Sequence, residues 1–156
     1  MGIRKIRVEG DDILRKTAKP VTEMNLRSKT LIRDMFDTMY KAEGVGLAAP
    51  QVGVLKRIFV MDCSADRSRA MAFINPEILE TEGEQTGEEG CLSVPGKHAT
   101  VTRPMKVTVR ALNEEMEEVT LTLEGLEARC VLHENDHLDG ILYVDKAESP
   151  LVDNEE

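Results

Sequence analysis

The chain has 156 residues and a mass of 17.4 kDa; 41% of its residues are hydrophobic, 31% are charged, and the net charge is −9. That acidic balance argues against a nucleic-acid partner, which would call for a basic face. No run reaches the ~18 apolar residues of a membrane helix, and the start lacks the apolar stretch of a secretory signal. The three cysteines, Cys63, Cys91 and Cys130, are too few and odd in number for a disulfide scaffold. These features predict a cytoplasmic protein with reduced thiols and no membrane contact. Its length suits a single domain over residues 1–148, followed by a short acidic tail over 149–156.

In chain order, residues 10–21 (GDDILRKTAKPV) read as a short helix or turn stopped by Pro20. Leu31, Ile32, Met35, Phe36 and Met39 recur at helical spacing, which predicts an amphipathic helix over residues 28–42, capped by Ser28 and ended at Gly44. Residues 55–62 (LKRIFVMD) and 72–83 (AFINPEILETEG) read as strands. Residues 105–112 and 117–123 alternate apolar and polar around the acidic turn NEEM, a hairpin signal. A second helix is predicted from Leu126 to about Leu138, ended by Gly140, with a frayed tail after it. The expected fold class is α+β, with antiparallel strands packed around this second helix and the first helix N-terminal to them.

His133-Glu134-Asn135-Asp136-His137 is an H-E-x-x-H sequence. On a helix, positions i and i+4 share a face, so both imidazoles can reach one metal ion with Glu134 beside it as a base. Leu126, Cys130, His133 and His137 fall on one arc, while Asn135, Asp136, Asp139 and Arg129 are read on the polar side. A third ligand is needed. Tyr143 stands where one metallopeptidase pattern has its third His, so the ligand should lie upstream. Cys130 is on the same arc, and Cys91 lies in a Gly-flanked acidic segment read as a loop; both remain candidates. Cys63 reads as a buried small side chain. The segment GVGLAA fits a dinucleotide-binding pattern in letters only, because it lacks the strand before and the helix after.

Taken together, GVGLAAPQ (44–51), EEGCLS (88–93) and HENDHLDG (133–140) resemble the peptide deformylase family, in the same order and at comparable spacing. The resemblance covers essentially the whole chain. It implies a hydrolase that removes the formyl group from the N-terminal formyl-methionine of nascent chains. It implies Cys91, His133 and His137 as ligands of one divalent metal, natively Fe(II), with Zn(II), Ni(II) or Co(II) able to take the site. Glu134 is then the proton carrier, and Gln51 and the Leu92 N–H are the oxyanion donors. Val45, Gly46 and Gly90 hold the peptide, and Val45, Leu126 and Cys130 line the methionine pocket. The alternatives are a zinc metallopeptidase, or a relative that binds metal or formyl-peptide without turnover. Departures from the family pattern fall at Leu132, His98, Arg129 and Gly87, the last two where some relatives have apolar residues near the pocket. The short acidic end lacks the basic C-terminal helix with which some relatives dock on the ribosome, which leaves only a transient approach to it.

Overall fold

The apolar stripe Leu31, Ile32, Met35 and Met39 forms the buried face of α1 (Leu26–Lys41) in the computed structural model, which describes residues 2–154. The helix starts earlier than the sequence suggests. Asn25 is its cap and accepts from the Ser28 N–H at 2.9 Å. Ser28 lies inside the first turn, buried, and its hydroxyl accepts from Lys56 Nζ. At the other end Glu43, at φ 59°, takes the left-handed position that Gly44 was expected to supply. The Glu43 N–H donates to the Tyr40 carbonyl and the Gly44 N–H to that of Met39, which closes the helix.

The five-stranded sheet has the order β1-β2-β3-β6-β7, with β1 at Gly46–Ala48, β2 at Ile58–Met61, β3 at Met71–Glu82, β6 at Lys106–Leu112 and β7 at Glu118–Glu124. All its pairings are antiparallel. The expected hairpin is β6–β7, turning over residues 113–117. Every residue of β2 is buried. Ile58 and Val60 pack in a core with Leu31, Met35 and Met39 of α1. Phe59 and Met61 pack in another, with Ala128, Val131 and Leu138 of α2 (Leu126–Leu138). A strand covered on both faces reads as a continuous apolar run rather than an alternation, as IFVM does. Phe59 stacks on Phe73 with ring centroids 4.7 Å apart. No described helix is long and apolar enough to cross a membrane.

A second sheet escaped the sequence reading. It has the order β4-β5-β8, with β4 at Gln85–Cys91, β5 at Val94–Arg103 and β8 at Val152–Asp153. The segment read as an acidic loop, EEGC, is therefore strand. Its Gly and Glu content carries no β propensity; its pairing with the threonine- and valine-bearing β5 makes the strand. The tail is not frayed as far as it is described. Val152 and Asp153 pair with His98 and Lys97, and Lys97 forms an ion pair with Asp153. Near Pro20, the predicted turn is a single 3-10 turn, Asp12–Arg15, capped by Asp11. At the end of α2, Gly140 has φ 76°, and a Cβ there would lie 2.5 Å from the Arg15 carbonyl oxygen, so no other residue fits.

Phe59→Ala is expected to remove about 3–5 kcal/mol of stability, measured as a fall in the urea midpoint with little change in slope.

Candidate metal centre and active site

On β4, side chains alternate between faces, so Gly87, Glu89 and Cys91 share one. On α2, Arg129, His133 and His137 share a face at intervals of four. The two rows meet. Glu89 touches Arg129 and His133, and Cys91 Sγ is 3.3 Å from His137 Nε2. One ligand atom each from Cys91, His133 and His137 lie within 4.8 Å of one another, an arrangement that could hold one metal. The donors suit it: one thiolate and two imidazoles form the three-ligand set of a catalytic site, with a position left open. Cys130, the other candidate, is not part of this group. Its thiol points at the Val45 carbonyl, 3.6 Å away.

Each imidazole has its own surroundings. His133 donates from Nδ1 to Glu89 Oε1 at 2.8 Å, which leaves Nε2 for a metal. Burial disfavours a charge on His133, but Cys91 and Glu89 outweigh it and raise its pKa. A ligand must be neutral, so a metal and a proton compete at this ring. His137 is held well below the ordinary imidazole range by burial and by the charges of His133 and Arg103. Its Nδ1 has no partner among the described residues.

Glu134 is buried, its Oε1 is unpartnered, and its Oε2 lies 4.0 Å from His133 Nε2. Burial pushes its carboxyl up to about 7. A Cβ on Gly46 would sit 2.6 Å from that Oε2 and 2.8 Å from Cys130 Sγ, so only glycine lets β1 come this close to the carboxylate. Gln51 is buried and fixed at both ends. Its Oε1 accepts from the Ala48 N–H, and its Nε2 donates to Ser93 Oγ at 2.9 Å and to Cys91 Sγ at 3.5 Å.

Of the residues singled out in the sequence, Val45, Gly46, Gln51 and Gly90 line one cleft of about 410 Å³, with Cys91, Leu92, His133 and Glu134. Leu126 and Cys130 do not line it: Leu126 is 53% exposed at the start of α2, and Cys130 is buried behind Gly46. Tyr143 is buried and stacks on His133 at 6.1 Å between centroids. Cys63 is half-buried and packs on the core that contains Cys130. His98 lies on β5 opposite Gly90, near Glu88 and Asn154. Leu132 packs against the core.

Sequence reasoning missed a buried charge network. Glu89 Oε1 accepts from Arg103 Nη2 and His133 Nδ1; Oε2 accepts from Arg103 Nε and Arg129 Nη1. Arg103 continues to Asp136 through Nη1 at 2.8 Å, and Lys146 reaches Asp136 at 3.1 Å. Helix angle alone puts Arg129 on the polar side; in the structure it is 7% exposed and faces β4, one turn before His133. Reading EEGC as strand would have revealed Glu89, two positions before Cys91 and on the same face.

Burial disfavours the charge on Glu89, but Arg103 and His133 outweigh it and hold the carboxyl far below the usual carboxylate range. A carboxyl depressed on folding stabilises the protein above its unfolded pKa, and that contribution is lost as pH falls. Metal-free Glu89→Gln protein is therefore expected to be less stable than wild type at neutral pH. The gap should close as pH falls through and below about 4, as followed by urea unfolding across pH.

A family model described as polypeptide deformylase matches residues 3–152. The chain is 56% identical over 153 residues to the peptide deformylase of Agathobacter rectalis, covering 98% of this chain and 95% of that one. It is 57% identical over 146 residues to that of Lachnoclostridium phytofermentans, covering 94% and 90%. The crystal structure of a peptide deformylase from Legionella pneumophila superposes with a TM-score of 0.91 at 52% identity, over 95% of this chain and 87% of that one. That of the Thermotoga maritima enzyme does so with 0.91 at 46% identity, over 96% and 100%. Matched in sequence nearly from end to end and in fold across solved relatives, the chain belongs to the polypeptide deformylase family.

Proposed function

We infer that this chain is a peptide deformylase, a metal-dependent hydrolase that removes the formyl group from the N-terminal formyl-methionine of nascent chains and releases formate. The observation that carries the residue-level reading is the Cys91, His133 and His137 donor group, with the unpartnered carboxylate oxygen of Glu134 beside it in one cleft. In this reading α2 is the central element around which the strands are arranged, and residues 1–148 are the catalytic unit. Cys91, His133 and His137 hold one divalent metal. Ferrous iron is the proposed native ion, and zinc, nickel and cobalt suit the same donors. The metal supplies a Lewis acid and brings the pKa of water toward neutrality.

The chain's own groups do the rest. Glu134 takes a proton from the attacking water and delivers it to the leaving amine, a task its unpartnered Oε1 leaves it free to do. Gln51 Nε2 and the Leu92 N–H donate to the oxyanion that develops on the formyl oxygen. The Gln51 anchors to Ala48 and Ser93 keep that donor preorganised. The backbone of Val45, Gly46 and Gly90 pairs with the extended peptide as an added strand. Val45, on the cleft wall, borders the methionine side chain, whereas Leu126 and Cys130 would reach it only if the pocket extended past Gly46 toward α2. The enzyme works in the cytoplasm, in transient proximity to the ribosome, with no nucleic-acid or membrane partner.

Formate release from a formyl-Met-Ala-Ser peptide by protein loaded anaerobically with Fe(II) is the test. Release that a chelator abolishes is expected. No release at one metal per chain would favour a binding-only relative, and cleavage of a blocked internal peptide would favour a metallopeptidase. Glu134→Ala is expected to lower turnover by about 10²–10⁴ while metal content stays unchanged; equal rates would remove its assigned role.

A further inference from the structure

We propose that Arg129 is a positioning residue of the metal site: paired with the space left by Gly87, it fixes Glu89, and through Glu89 the orientation of His133 relative to Cys91. The proposal rests on the metal-site reading given above.

Two positions where the sequence departs from the family's apolar pattern turn out to be neighbours. Arg129 Nη1 donates to Glu89 Oε2 at 2.6 Å and to the Val101 carbonyl at 3.2 Å, and Nη2 donates to the Gln85 carbonyl at 3.3 Å. A Cβ on Gly87 would lie 3.4 Å from that Nη2, so a branched side chain at 87 would occupy the place of the guanidinium. Gly87 pairs with Val101 across β4 and β5, so the guanidinium closes over both strands at the level of that pair.

Neutralising Glu89 does not require Arg129, because Arg103 already grips both carboxylate oxygens, at 2.8 and 2.9 Å. Arg129 adds a second attachment from the same helix as His133. Glu89 then bridges one turn of α2, from Arg129 to His133, and all four lone-pair positions of its carboxylate are filled. The carboxylate is left one orientation, and the His133 ring follows it. Because Cys91 lies on the same strand as Glu89, the bridge also sets how far α2 slides along β4. Glu89, which touches the ligand His133, is the kind of partner whose loss changes metal affinity by about 10–100-fold; Arg129 acts one contact further out, so its loss should cost the lower end of that range or less.

The test uses Co(II)-loaded full-length protein, whose thiolate-to-cobalt absorption reports the geometry at Cys91, challenged with excess chelator. Arg129→Met is expected to release cobalt faster than wild type, by up to about 10-fold, with an altered cobalt spectrum. Gly87→Leu, which leaves Arg129 in the chain but displaces it, should do the same. Arg129→Lys, which keeps one donor for Glu89, should restore part of the difference. In zinc-loaded protein, 15N NMR should show the His133 Nδ1–H exchanging with solvent faster in Arg129→Met than in wild type. A wild-type release rate and spectrum in both Arg129→Met and Gly87→Leu would overturn the proposal, even if the melting temperature of the metal-free protein fell, because that pattern is a merely structural role. Wild-type protein that binds cobalt but releases no formate overturns the deformylase reading alone, and the release rates still decide on Arg129. Wild-type protein that binds no metal overturns both.

Discussion

The site depends on a coincidence of two periods. Four residues of α-helix advance about 6 Å, and two residues of strand advance about 6.6 Å. Where side chains of α2 reach β4, Arg129, His133 and His137 therefore stay in step with Gly87, Glu89 and Cys91. Glu89 sits at the middle rung and touches both Arg129 and His133. The match holds for only a few rungs before the two spacings drift apart, and Cys91 and His137 of the candidate metal group occupy the last of them. Anything that shifted α2 along β4 by a fraction of a turn would separate the thiolate from the imidazoles.

Two buried glutamates within this small region face opposite conditions. Glu89 accepts four hydrogen bonds, from two guanidinium groups and an imidazole, and stays ionised. Glu134 is equally secluded but has an oxygen with no partner, and its carboxyl is pushed up to about 7. Environments that drive two like groups apart are how a fold assigns one a fixed charge and the other a proton to move. The buried ions do not by themselves make the protein stable, since desolvation offsets much of their attraction. Their saturation fixes geometry, and the apolar cores on both faces of β2 supply the cohesion.

Much of this was legible in the sequence. The α1 stripe, the apolar run of β2, the β6–β7 hairpin and the H-E-x-x-H helix all carry local periodicity strong enough to read. The caps of α1 were misread because Asn25 and Ser28 can both cap, and only packing decides which one lies inside. The β4–β5–β8 sheet was not legible. Glu and Gly dominate β4, whose strand state comes from pairing rather than propensity, Pro95 and Gly96 obscure the start of β5, and β8 needs a partner far earlier in the chain. That miss hid Glu89, and a helix-angle reading that put Arg129 with the polar side hid the second cation. The thiol that joins the two histidines could not be chosen by spacing alone, because Cys130 shares their arc and only the tertiary fold turns its sulfur toward Val45.

Glu89 and His133 are separated by 44 positions, and Arg103 and Asp136 by 33. Closing such loops costs little more at equilibrium than closing shorter ones, because loop entropy grows only with the logarithm of length. In time the separation matters more, since contacts distant in sequence form late. While the chain folds, only the two histidines of α2 are near each other by local structure. Two of the three candidate donors are thus brought together by local structure alone, and Cys91 joins them only when β4 docks.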